Sequence, residues 1–182
     1  MALIRALALV AALAGPAAAE PEISVRVSAA FGSFEELTWE APEVNLVAAF
    51  DLGPRAFVSI VGGYAILDNH NYLSDGRSGR LEVGAGAVFD KVRAGGTLGL
   101  TLIGFHSDPD LLADHPDVDL VVSRGGLVPT AGFEVSRAIG ATLRVGAFAR
   151  VALRRLEVFD TAAERETARL VLGGAFLGFA IR

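Results

Sequence analysis

Apolar and polar residues alternate along most of this chain. Ile23, Val25, Val27, Ala29 and Phe31 share one parity, and Ser24, Arg26, Ser28, Ala30 and Gly32 fill the other. A period of two marks a β-strand, because successive side chains point to opposite faces. The same pattern returns in Val44, Leu46, Ala48 and Phe50 against Glu43, Asn45 and Asp51, and in Val58, Ile60, Gly62, Tyr64 and Ile66 against Ser59, Val61 and Gly63. It returns again in Leu81, Val83, Ala85, Ala87 and Phe89 against Arg80, Glu82, Gly84, Gly86 and Asp90, and in Leu98, Leu100 and Leu102 against Thr97, Gly99 and Thr101. The longest row runs from Ile139 to Leu153, with Thr142, Arg144, Phe148, Arg150 and Arg154 opposite it.

Two segments are less regular. Residues 118–135 begin with Val118, Leu120 and Val122, but Gly125-Gly126 shifts the phase and Pro129 lies inside, which predicts a bulge. Residues 170–181 are apolar on both parities, and Val171, Ala175, Leu177, Phe179 and Ile181 are placed outward. The pattern thus predicts eight strands. Short turns at 51–55, 90–95 and 136–140 alternate with longer polar connections at 33–40, 68–79, 106–117 and 160–166.

Charge decides which face is which. Arg26, Glu43, Arg80, Glu82, Arg144, Arg150 and Arg154 all fall on the parity opposite the apolar rows. On a lipid face an Arg near mid-membrane costs about 2–4 kcal/mol. Several such costs would rival the whole stability of a domain, about 5–15 kcal/mol. These seven residues are therefore expected inside, as a polar network that fills the barrel, with the apolar rows against lipid. A barrel of eight strands is wide enough only for its own side chains, and Arg pairs well with carboxylates there.

The fold class expected is all-β: an eight-stranded antiparallel up-and-down transmembrane β-barrel with a side-chain-filled interior. It resembles the small outer-membrane barrels of the OmpA/OmpX type in its leader, its alternating rows and its unequal connections. That resemblance implies a bacterial outer membrane, with lipid and lipopolysaccharide as partners and an extracellular or periplasmic protein as a further one. The chain departs from that pattern in finishing Phe179-Ala180-Ile181-Arg182, where such barrels finish on an aromatic residue.

Residues 1–19 read as a signal peptide, and 20–182 as the barrel. Arg5 is the basic start, residues 6–14 are apolar, and Ala17-Ala18-Ala19 are small residues at a cleavage site. The net charge of −5 gives no nucleic-acid footprint. With no cysteine, disulfides, thiolate metal sites and a lipid-acceptor cysteine are excluded. No cofactor is expected.

Three histidines, His70, His106 and His115, lie in connections rich in Asp and Asn. Together with Asp108 they form a candidate cation or ligand site, although the spacing matches no metal motif and such segments are also ordinary turn chemistry. No catalytic residue is assigned. Two rival functions stay open. Some barrels of this size are lipid A-modifying hydrolases, whose deacylase branch sets a His and a Ser two apart on a strand; here His106 and Ser107 are adjacent, which points them to opposite faces. A soluble periplasmic barrel of lipocalin type would instead turn the Leu143/Val145/Ala147 row inward around a ligand.

Overall fold

A computed structural model describes residues 22–34, 37–67, 74–107, 126–154, 156–160, 165–168 and 170–181. The strands are β1 (Glu22–Phe34), β2 (Leu37–Asp51), β3 (Ala56–Leu67), β4 (Ser74–Phe89), β5 (Val92–Ser107), β6 (Gly126–Ile139), β7 (Leu143–Ala152), β8 (Leu156–Asp160), β9 (Arg165–Ala168) and β10 (Val171–Ile181). Eight of them close into one antiparallel barrel in the order β1-β10-β7-β6-β5-β4-β3-β2. Closure is made by β1 on β10, from Ile23 opposite Ile181 to Ser33 opposite Val171. Each barrel strand has two partners, so no edge is left to pair with another chain.

The wall follows the alternation in sequence. On β3 the odd positions Phe57, Ser59, Val61, Ala65 and Leu67 are buried, while Tyr64 and Ile66 are exposed. On β10, Leu172 and Phe176 are buried, while Val171, Leu177, Phe179 and Ile181 are exposed. The outward positions of β5 run without a charge from Val92 to Gly104. Twelve residue steps at about 3.3 Å make about 40 Å of strand. A tilt of about 40° reduces this to roughly 30 Å, enough to cover an apolar band of about 25 Å.

Several sequence expectations on element boundaries are corrected. The strands continue into segments expected as loops: Ser33–Phe34 belong to β1, Leu37–Glu40 to β2, Ser74–Gly79 to β4 and His106–Ser107 to β5. Backbone pairing goes on there after the apolar row has ended, so hydropathy does not register it. The third short turn is Gly140–Thr142 and not 136–140; Ile139 closes β6, and Gly140 takes a φ of 70° that favours glycine. The turn between β4 and β5 is only Asp90-Lys91, with Asp90 at φ 56°.

No bulge forms around Pro129. The β5/β6 register is unbroken from Val92 opposite Arg137 to Ile103 opposite Gly126. Pro129 accepts a hydrogen bond through its carbonyl from Leu153 N at 2.8 Å, one step beyond Thr130–Ala152, the last pair of the β6/β7 ladder. A residue's N–H and C=O face the same neighbour in an antiparallel ladder. The donor that proline lacks would therefore face Leu153 O, just past the last pair of that ladder, so one bond is forgone at its end and the register is kept. Val118, Leu120 and Val122 lie outside the described residues.

The row drawn to Leu153 stops at Ala152. After Leu153-Arg154 the chain forms a separate two-stranded sheet, β8 on β9, with an irregularity between Glu157 and Phe159. Phe159 is therefore not part of the barrel wall.

Candidate functional site: the barrel interior and its outer wall

The interior holds charged side chains in three tiers, each electrically balanced. Nearest the short turns, Arg93 of β5 donates to both Asp51 oxygens, at 2.8 and 3.0 Å, and to Glu22 Oε2 at 3.1 Å. Arg144 of β7 reaches Glu22 Oε1 at 3.4 Å and Ser136 Oγ at 3.5 Å. One tier further in, Arg26 of β1 crosses to Glu134 of β6 at 2.6 Å, with its guanidinium 4.6 Å from the centre of the Phe176 ring. Such a cation over an aromatic face is attracted by the ring quadrupole.

The third tier is the most buried. Glu43 of β2, 1% exposed, accepts from Arg80 of β4 at 2.6 Å and from Arg150 of β7 at 3.2 Å on each oxygen. Glu82, 2% exposed, lies 3.2 Å from Arg150 Nε and 3.6 Å from Arg80 Nε. Asn45 accepts from Arg80 Nη2 at 2.6 Å and donates to Ser28 Oγ at 3.2 Å. Across the tiers, the arginines 26, 80, 93, 144 and 150 match the acids Glu22, Glu43, Asp51, Glu82 and Glu134 one for one.

Glycines make room for this packing. A Cβ on Gly63 would collide with Asn45 Oδ1 and come within 2.9 Å of Arg80 Nε. A Cβ on Gly99 would fall 2.7 Å from Glu82 Cγ. Both sites are spaces for a neighbour, which the sequence alone shows only as weak points in a strand.

Toward the other end the interior turns apolar. Leu67, Ile103, Val128, Phe148, Leu170 and Leu172 pack into one buried cluster. Between this cap and the Glu43 tier lies a cavity of about 20 Å³, lined in part by Glu43, Thr101, Thr130 and Arg150. A smaller one, about 10 Å³, separates the Glu43 and Arg26 tiers. These are spaces on the scale of one water molecule, not of a ligand or a channel.

Of the residues expected inside, Arg26, Glu43, Arg80, Glu82, Arg144 and Arg150 come together in these tiers. Arg154 does not: it is exposed and lies past the end of β7, where the inward parity no longer has a wall to point through. Sequence reasoning missed Glu22, Asp51, Arg93 and Glu134. The first three sit at or next to strand ends, and Glu134 lies on the strand whose phase Gly125-Gly126 was expected to shift. Asp51 already stands on the polar parity with Glu43 and Asn45 but was assigned to the turn at 51–55, and extending the parity of Ser24 and Arg26 back to Glu22 would have found another. His70, Asp108 and His115 lie outside the described residues, as does any gathering of them with His106. His106 is a residue of β5, paired in register with Asp75, and Ser107 is paired with Ser74. Among the described residues no cluster of three or more His, Asp or Glu is arranged to hold a metal.

The outer wall is the complement of the interior. Twenty-three large apolar residues are exposed among those described, including Leu98 at 62%, Leu127 at 57% and Leu46 at 56%. The charged side chains described on this face, Glu40, Arg77 and Arg137, all lie within four residues of a strand end. Phe31 and Tyr64 stand toward the loop end, and Phe89 and Phe179 toward the short turns, so the aromatic girdles are partial. A monomeric soluble protein rarely exposes an apolar patch beyond a few hundred Å². Leu143, Val145 and Ala147 face out while Arg144 faces in, the reverse of a lipocalin-type interior.

The fold is that of the small eight-stranded outer-membrane barrels. Neisserial surface protein A superposes with a TM-score of 0.54 at 13% identity, covering 90% of this chain and 99% of that one. Ail, the attachment invasion locus protein of Yersinia pestis, gives 0.54 at 14% identity, covering 90% and 100%. The N-terminal β-barrel domain of Pseudomonas aeruginosa OprF gives 0.51 at 10% identity, covering 88% and 100%. No family model matches the chain, and no curated protein matches it in sequence. This outer-membrane-type barrel therefore shares an architecture with those proteins at identities too low to carry over a role.

Proposed function

We propose that this chain is an integral outer-membrane barrel with a structural and surface-contact role, exported by the signal peptide at residues 1–19 and working without a cofactor. The observation that carries this reading is the sorting of the described side chains across the wall. Apolar residues cover the outside between the strand ends, and ten charged groups neutralise one another inside. Among the described residues an apolar cap and filled tiers leave no passage, which argues against solute conduction.

Its contacts are lipid along the wall and a surface molecule or protein at the loop end. The segment 106–125 carries Asp108, Asp110, Asp114, Asp117 and Asp119 against Arg124 and two histidines. Ail has been crystallised with the heparin analogue sucrose octasulfate. In this chain such an acidic segment favours a cationic partner over a sulfated polyanion, by charge complementarity.

Two measurements test the reading. The mature chain refolded into phosphatidylcholine vesicles should migrate differently on a denaturing gel before and after boiling; a chain that stays soluble and aqueous contradicts membrane residence. Lipid A from cells with and without the protein should give the same acyl pattern by mass spectrometry. An altered pattern would replace the structural role by a hydrolytic one.

A further inference from the structure

The five interior arginines are all paired, but the exposed bases at the short-turn end are not. Arg55 lies in the turn between β2 and β3, Lys91 in the turn between β4 and β5, and Arg137 on the outer face near the end of β6. The backbone brings them to one sector of the rim. Val88 N donates to Arg55 O at 2.9 Å, Ala138 N donates to Lys91 O at 2.9 Å, and Arg137 is in register with Val92. None of the three makes an ion pair in the described structure. The one exposed acid described at this rim is Asp90, since Asp51 is held by Arg93.

Arg55 and Lys91 stand in turns just beyond the apolar wall, and Arg137 lies at its margin, one outward position before Ile139. Leu52, Phe89 and Ile139 are the exposed apolar residues beside them. That is the level at which the phosphates of a lipid leaflet meet hydrocarbon, and long basic side chains reach out to it while their stems stay on apolar surface.

We infer that Arg55, Lys91 and Arg137 form a docking sector for the headgroup phosphate of anionic phospholipid in the leaflet that meets the short turns. The inference rests on the membrane reading above and adds the lipid class and the place of contact. It also gives the barrel an orientation, basic rim toward an anionic leaflet.

The test uses the mature chain in phosphatidylcholine vesicles, with Trp39→Phe removing the single tryptophan and Phe89→Trp placing a reporter at this rim. Quenching by brominated phosphatidylglycerol is compared with quenching by brominated phosphatidylcholine. The expected preference for phosphatidylglycerol is about fivefold at low salt, the effect of roughly one basic residue at an anionic surface, and it falls toward unity at high salt. R55Q/K91Q/R137Q should abolish it, and R137Q alone, the smaller change, should reduce it. Equal quenching by the two lipids in an inserted barrel overturns the inference alone, as does a preference that survives the substitutions. Failure of the unsubstituted chain to insert overturns the membrane reading and this contact with it.

Discussion

At the scale of single residues, Glu43 is the centre of the interior. It is held by Arg80 and Arg150 together, and its loss leaves Glu82 as the one acid between two buried guanidinium groups. Removing one partner of a buried pair costs about 3–5 kcal/mol, because the other charge stays behind without compensation. Glu43→Gln should therefore lower the urea stability of the vesicle-bound barrel by that amount, whereas Arg154→Gln, at an exposed and unpaired position, should leave the unfolding transition where it is. Gly63→Val should act like Glu43→Gln from a distance: its side chain needs the space of Asn45 Oδ1 and Arg80, so it breaks the 2.6 Å hydrogen bond between them. A Gly63→Val variant as stable as the parent would show that the tier can repack.

The charged partners were partly legible at this scale. Parity alone placed Arg26, Glu43, Arg80, Glu82, Arg144 and Arg150 on one face, because strands allow only two faces. What parity does not show is where a strand stops, and so it misassigned Arg154 and passed over Glu22, Asp51 and Arg93. Nor does it show depth along the barrel. Leu67, Ile103 and Leu172 share the inward parity with the arginines, yet they form an apolar cap that the polar-interior expectation did not include.

At the scale of elements, the outer rows are the feature to test. Leu100 lies near the middle of β5, exposed and flanked in register by Leu81 and Pro129 on the neighbouring strands. An Arg there would stand in hydrocarbon, at a cost of about 2–4 kcal/mol. Leu100→Arg should therefore slow or abolish insertion into vesicles, measured by the heat-dependent gel shift. Unimpaired insertion would place that row in water. The eight rows were legible because apolar-out alternation must persist wherever lipid touches the wall. The ends of β2, β4 and β5 were not, since outside the lipid only backbone pairing defines a strand, and any polar sequence satisfies it. Pro129 misled for a related reason: a missing donor argues for a bulge only inside a ladder, and this one falls at the ladder's end.

At the scale of the whole molecule, the barrel is closed twice. Balanced ion pairs fill the half nearest the short turns, and an apolar cluster seals the other. Planar-bilayer recordings should show no unitary conductance steps; regular steps would require the tiers to rearrange. The larger division is radial, between a wall that water would not tolerate and an interior that lipid would not. Because the chain has no cysteine, single Cys residues can be introduced and spin-labelled one at a time along β5 from Leu98 to Ile103. In vesicles, power-saturation measurements should show high oxygen and low nickel-chelate accessibility for labels at 98, 100 and 102, with both low at 99, 101 and 103. Nickel chelate reaching the even positions as freely as water does, or no alternation at all, would contradict the account.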